Sequence, residues 1–159
     1  MNLFGVMEVS GSAMLAERQR AEVVTSNLAN AETTRTAQGG PYQRQHVVFG
    51  AAQPGAFAHE LSAAGAMPMS MPTSMPTSMN DPRGQGVKVT AVVADTAPPV
   101  RRYDPSHPDA DAEGFVNMPA INPVEEMADL MGAARSYELN ATAVQATRGM
   151  ISQSLELLK

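Results

Sequence analysis

Proline placement constrains this chain more than any other feature. All 12 prolines lie between Pro41 and Pro123, so the first 40 and the last 36 of 159 residues carry none. Proline inside a helix removes a hydrogen bond and clashes with the preceding turn. Both ends are therefore free to form long helices, and the middle is not. Only 4% of the residues are aromatic, and much of the apolar content is Ala and Met, so one chain of this length cannot fill a wide core. There is no cysteine, which excludes a disulfide scaffold, Cys-ligated zinc, an iron–sulfur cluster and a thiol nucleophile.

The ends show helical periodicity. Alternating steps of four and three residues pick out Leu3, Met7, Ser10, Met14, Glu17, Ala21, Val24 and Leu28, six of them apolar where the 43% hydrophobic content predicts three to four. This predicts an amphipathic helix ending near Asn30 and interrupted by Ser10 and Glu17. At the other end Asn122 is a cap, Pro123 suits the first helical position, and Glu125 is spaced to reach back to the cap amide. The same stepping then reads Met127, Leu130, Ala134, Tyr137, Ala141, Val144, Arg148, Ile151, Leu155 and Leu158, nine of ten apolar. A helix over 123–158 is about 54 Å long. Its early acids Glu125, Glu126 and Asp129 suit the positive end of the helix dipole.

The expected fold is mainly α with a small β-containing lobe. Long N- and C-terminal helices (1–32 and 122–159) pair as an antiparallel coiled coil, and residues 33–121 form the lobe. Within the lobe, 42–49, 87–93 and 100–103 read as short strands, the second with one mostly buried face. Residues 61–86 are low complexity, with Met67-Pro68-Met69-Ser70, Met71-Pro72-Thr73-Ser74 and Met75-Pro76-Thr77-Ser78 in succession. Such a tract is either a tolerated insertion, the simpler reading, or a binder of soft metals such as Cu(I).

Charge and motifs narrow the function classes. A net charge of −5 with no basic stripe is no footprint for nucleic acid or an anionic membrane. The first eight residues lack a basic n-region, and the uncharged stretch 61–80 is broken by prolines, so neither a cleavable signal nor a membrane span is expected. His46, His59 and His107 are scattered, no serine sits in a nucleophile motif, and no phosphate loop appears. Asp109-x-Asp111-x-Glu113-Gly114 is like the opening of a calcium loop, but its twelfth position is Ala120, not an acid. The competing reading is a solvated acidic turn whose carboxylates fold back on nearby amides. No cofactor and no enzymatic activity are expected.

Two helices cover only one side of each other. Val6, Val9, Leu15, Val23, Met131 and Met150 lie off the predicted seams and would stay exposed in a monomer, which marks a partner interface. Gly5, Gly11, Gly132 and Gly149 weaken the isolated helices. The ends are therefore expected to order fully only when neighbours dock. Glu17 and Arg148 interrupt the two seams. They either meet in an antiparallel pair and set its register, or each reaches solvent at the seam edge.

Several motifs carry a resemblance. Ser26-Asn27-Leu28-Ala29-Asn30-Ala31 with Thr33-Thr34-Arg35 resembles the N-terminal signature of bacterial flagellar rod and hook proteins. Gly40-Pro41-Tyr42 with Arg44 and Val47-Val48-Phe49 is similar to one rod-protein branch of that family. So is the block Tyr103-Asp104-Pro105-x-His107-Pro108-Asp109-Ala110-Asp111-x-x-Gly114-Phe115-Val116. Asn122-x-Val124-Glu125-Glu126-Met127 and Arg135-Ser136-Tyr137 resemble its C-terminal pattern. The resemblance implies a structural subunit of the proximal rod that polymerises through its terminal helices. It implies export through the flagellar type III apparatus without a cleaved signal. The implied partners are further copies of the chain and the rod components FlgB, FlgF, FlgG and FliE. A secreted coiled-coil adaptor of a type III export system is the competing class, and the Tyr103–Val116 block argues against it.

Overall fold

The structure is a computed structural model and describes residues 3–52 and 86–157. The Met-Pro repeat, His59 and Leu158 lie outside the described residues. The order of elements is α1 (Leu3–Ala29), β1 (Gln45–Ala51), β2 (Val87–Ala94), β3 (Val100–Tyr103), β4 (Phe115–Met118) and α2 (Pro123–Glu156). The fold is mainly helical with a small β lobe, as expected.

Local chemistry explains the boundaries of α2. The Asn122 side chain accepts from the Val124 amide, and Pro123 opens the helix. Glu125 does not make the predicted return bond to the cap. Instead, the Glu126 amide donates to the Asn122 carbonyl at 3.1 Å as the first helical turn closes. α1 ends where the Asn30 side chain turns back to donate to the Ser26 carbonyl at 2.9 Å, which competes with the next helical turn.

The lobe consists of two antiparallel hairpins. β1 pairs with β2 in a register that includes Val47 opposite Val92, with an irregularity between Val48 and Phe49. β3 pairs with β4, joining Tyr103 to Phe115. Three of the four strands occupy predicted positions; β4 was not expected. The mostly buried face predicted for β2 is corrected: only Val87 and Val89 are half-buried, and Val93 is exposed. A two-stranded ribbon has too little surface to cover a full strand face, so burial is confined to the end docked on α1. There, Ser12 Oγ accepts from the Val87 amide at 3.0 Å.

α1 and α2 pack against each other. Among the described residues, the buried apolar side chains are Ala16, Val24, Val116 and Ala133, and the buried polar ones are Ser10, Asn27, Glu126 and Thr147. On α1 all eight seam positions from Leu3 to Leu28 are at least half-buried. On α2 the buried face differs from the apolar heptad. Glu126, Ala133 and Thr147 are buried and Asn140 is half-buried; of the predicted seam, Leu130, Ala141, Val144 and Ile151 are half-buried, whereas Met127, Ala134, Tyr137, Arg148 and Leu155 are exposed. The covered face is turned from the apolar seam by about half a residue step, roughly 50°. The small and polar stripe faces inward, Leu130, Val144 and Ile151 lie along its edge, and Met127, Tyr137 and Leu155 lie outside.

Two glycines behave oppositely in this packing. A Cβ on Gly86 would lie 2.4 Å from Ser12 Oγ, whereas one on Gly132 meets nothing within 4 Å. Gly86→Ala should destabilise the chain by about 1–3 kcal/mol through overpacking. Gly132→Ala should stabilise it by about 0.5–1 kcal/mol through helix propensity. Urea unfolding of both variants checks the opposite signs.

Candidate functional site

Two of the predicted signature residues, Ser26 and Asn27, lie at a junction where the C-terminal end of α1, the segment leading into β1 and the first turns of α2 meet. Asn27 and Glu126 are each only 1% exposed there. The Asn27 amide uses its full hydrogen-bonding capacity. Nδ2 donates to the Gln45 carbonyl at 2.9 Å and to Glu126 Oε2 at 3.0 Å. Oδ1 accepts from the Gln45 amide at 2.9 Å and from the Tyr42 hydroxyl at 3.2 Å. The side chain thus pairs with Gln45 as a neighbouring strand would.

Glu126 would be costly to bury alone, and Arg44 compensates its charge. Arg44 Nε donates to Glu126 Oε1 at 2.6 Å, and its Nη2 lies against the same oxygen. Arg44 Nη2 also reaches Asp129 at 3.7 Å, and Asp129 accepts from Arg20 at 3.2 Å. Arg20 in turn lies 3.8 Å from Glu17. One chain of alternating charge therefore runs across both helices and the lobe. Charge-assisted bonds of this kind are the stronger ones, and removing one partner of a buried pair costs about 3–5 kcal/mol.

This chain of contacts decides the fate of Glu17 and Arg148. The contacts Asn27–Glu126 and Arg20–Asp129 run in opposite senses along the two helices. Counting on from them places Glu17 across from about residues 132–136, roughly 18–24 Å along the axis from Arg148. The two do not meet. Glu17 pairs with Arg20 on its own helix, and Arg148 is exposed.

The other signature residues extend the junction. Ser26 Oγ lies 3.3 Å from the Tyr42 hydroxyl, and Thr33 Oγ1 donates to Asn30 Oδ1 at 3.2 Å. Ala29 faces solvent. Thr34 Oγ1 donates to Asp109 Oδ2 at 2.8 Å, and Arg35 adds an ion pair to the same carboxylate at 3.9 Å. The first motif is thereby joined to the acidic block. Within that block the carboxylates turn inward. Asp104 accepts from the Ser106 hydroxyl at 2.7 Å, and Asp111 Oδ1 accepts from the amides of Phe115 at 2.8 Å and Glu113 at 3.1 Å. His107 Nδ1 accepts from the Asp109 amide at 3.1 Å. Gly114 has φ +82, and a Cβ there would press on Tyr103 at 3.0 Å and Pro105 at 3.2 Å. Tyr103 packs edge-on to Phe115, and the Arg101 guanidinium sits 4.6 Å from the Phe115 ring centre. The block is a self-bonded turn of the kind expected from folded-back carboxylates.

Arg44, Glu126, Arg20, Asp129 and Gln45 were not expected at the site. The available signal was that Arg44 and Glu126 stand inside the two quoted branch motifs and carry opposite charges.

Two family models match the chain: the flagella basal body rod protein over residues 7–35, and the flagellar basal body rod FlgEFG protein C-terminal region over residues 112–157. The fold and its joined signatures therefore define a flagellar basal-body rod protein. Full-length relatives narrow this further. The flagellar basal-body rod protein FlgC of Bacillus subtilis (strain 168) is 39% identical over 166 residues, covering 100% of both chains. That of Borreliella burgdorferi is 34% identical over 163 residues, covering 100% of this chain and 99% of the relative. That of Escherichia coli O157:H7 is 35% identical over 158 residues, covering 99% and 98%. The chain belongs to the FlgC family. It is a structural component of the flagellar basal-body rod and not an enzyme.

The acidic turn has a defined pH response. Amide donation from Phe115 and Glu113, with Arg101 nearby, holds the Asp111 carboxyl below its ordinary 3.8. The Ser106 hydroxyl and amide do the same for Asp104. A depressed carboxylate contributes stability above its unfolded value, and that contribution is lost as pH falls through the lower folded value. The turn should therefore hold at neutral pH and loosen below about pH 4. In NMR titrations the Phe115 and Glu113 amide signals should move together in that range. Asp111→Asn should abolish that acid transition.

Proposed function

We propose that the chain is a subunit of the proximal rod. Its terminal helices pair as an antiparallel coiled coil over 1–32 and 122–159, and polymerise to transmit torque and to line the export channel. The lobe over 33–121 sits at one end. The chain crosses into the periplasm through the type III apparatus without a cleaved signal. It assembles with its own copies and with FlgB, FlgF, FlgG and FliE.

The observation that carries this reading is the apolar surface left open beside a small-residue seam. Leu155 is 60% exposed and Met131 67% exposed, and Met127, Tyr137, Leu139 and Met150 are exposed with them. Val6 and Leu15 continue the pattern on α1, while Val9 and Val23 are half-buried. Large apolar side chains exposed in this number call for a cover. In a rod made of repeated helices, neighbouring subunits supply it through an interface that need not close on itself. The inner half of the interface is assigned to Leu3, Met7, Met14, Ala21, Val24 and Leu28, with Leu130, Val144 and Ile151 on α2 and, outside the described residues, Leu158.

Leu155→Asp should leave the helix content of the purified chain unchanged, because the side chain is already exposed, and should stop rod assembly and motility. Ile151→Asp should do the same with some loss of stability, since Ile151 is half-buried. Gln145→Asp on the same helix should be mild. Soft-agar motility and recovery of basal bodies read the outcome. Normal swimming by Leu155→Asp removes the assembly role of this surface.

A further inference from the structure

We propose that Asn27, Arg44 and Glu126 act together as a register lock, selecting one of several near-equivalent alignments of α1 on α2 and tying that alignment to the lobe. The inference concerns the isolated chain and stands apart from its place in the rod.

The seam itself discriminates poorly between alignments. At seven-residue steps along α2 its inward positions are Glu126, Ala133, Asn140 and Thr147. Among the described residues, the buried apolar ones of the helix pair are Ala16, Val24 and Ala133. Small side chains make shallow ridges, so sliding α2 by one heptad exchanges one small residue for another with little change in packing. The larger residues along the seam edge repeat at the same interval, so a seven-residue slide brings Tyr137 to the place of Leu130 and Ile151 to that of Val144, while Met127 and Leu139 are exposed throughout.

The triad does discriminate. Asn27 has both donors and both acceptor positions used, which fixes its orientation. Arg44 is held in the segment leading into β1, with its side chain 20% exposed, and its guanidinium needs an anion at the position Glu126 occupies. Sliding α2 by seven residues puts Ala133 at that position. One Asn27 donor and the Arg44 charge then lose their acceptor, and Glu126 loses both partners. A buried charge stripped of its partner is strongly disfavoured, so the slipped alignment is rejected by the polar contacts and not by packing. Because Arg44 and Gln45 belong to the lobe, the same contacts set where the lobe sits on the pair.

Moving the acid tests this directly. The chain has no cysteine, so Glu22→Cys on α1 and Gln145→Cys on α2, both exposed, accept nitroxide labels without interference. Pulsed electron–electron resonance on the full chain reads the interhelix distance, and circular dichroism reads helix content. The parent should give one narrow distance. Glu126→Ala with Ala133→Glu offers the anion one heptad later, and the distance should shorten by about 10 Å, the rise of seven helical residues. The apolar triple variant Asn27→Leu, Arg44→Met, Glu126→Leu should keep its helix content and show several distances. A retained parental distance in the moved-acid variant overturns the proposal, as does a single parental distance in the triple variant. Loss of helix in both overturns it too, because the triad would then hold the fold together without choosing among alignments.

Discussion

The buried carboxylate of Glu126 is the constraint around which the rest of the molecule is arranged. A charge that is 1% exposed requires compensation, and two different parts of the chain supply it: Asn27 from the end of α1 and Arg44 from the entry to β1. Because the three groups are far apart in sequence, satisfying one carboxylate positions three elements at once. The extension through Asp129 and Arg20 to Glu17 carries the same alternation of charge two turns further along α1. Among the described residues, the buried apolar side chains, three of them on the helices and one in the lobe, are too small and too few to impose that arrangement.

This polar junction also explains what lies on the surface. Large apolar side chains normally provide a small domain with its core. Here the helix pair uses alanine, serine and threonine where it closes on itself. Met127, Met131, Tyr137, Leu139, Met150 and Leu155 of α2 stay outside. Polar groups that satisfy one another specify the pair internally, so the nonspecific hydrophobic surface remains free for neighbours. A core of large residues in the same seam would have used that surface within the monomer.

The same division decides how much was legible in the sequence. The two helices were legible from the proline map and the cap at Asn122, because those signals act through the backbone and do not depend on what covers a side chain. Strands β1, β2 and β3 were legible from β-branched residues. β4 was missed because Phe115-Val116-Asn117-Met118 is short and was absorbed into a motif. The facing of α2 is turned from the apolar heptad by about half a residue step. An apolar heptad does not record which partner covers each of its positions. On α2 Leu130, Val144 and Ile151 are half-buried beside the small and polar positions, and Met127, Tyr137 and Leu155 are exposed. Glu126 and Arg44 were missed for a related reason: a charged residue in a helical first turn reads as exposed unless its partner is known, and that partner lies 82 residues away.

The bond between Thr34 and Asp109 adds a step that motif reading alone did not contain. Each motif was recognised as a separate stretch, one following α1 and one leading into β4. At 2.8 Å the hydroxyl and the carboxylate make them a single surface. Asp109 is available for that bond because its neighbours are engaged elsewhere: Asp104 with Ser106, and Asp111 with the amides of Glu113 and Phe115. The acidic turn is held by its own contacts and by Arg101, which bonds Asp111 and Glu113, and the Asp109 carboxylate joins the hairpin β3–β4 to the segment after α1. Residues that look like candidate metal ligands in sequence act here as hydrogen-bond acceptors for the chain itself. That role accounts for their close spacing, since an aspartate accepts most readily from amides two to four residues ahead.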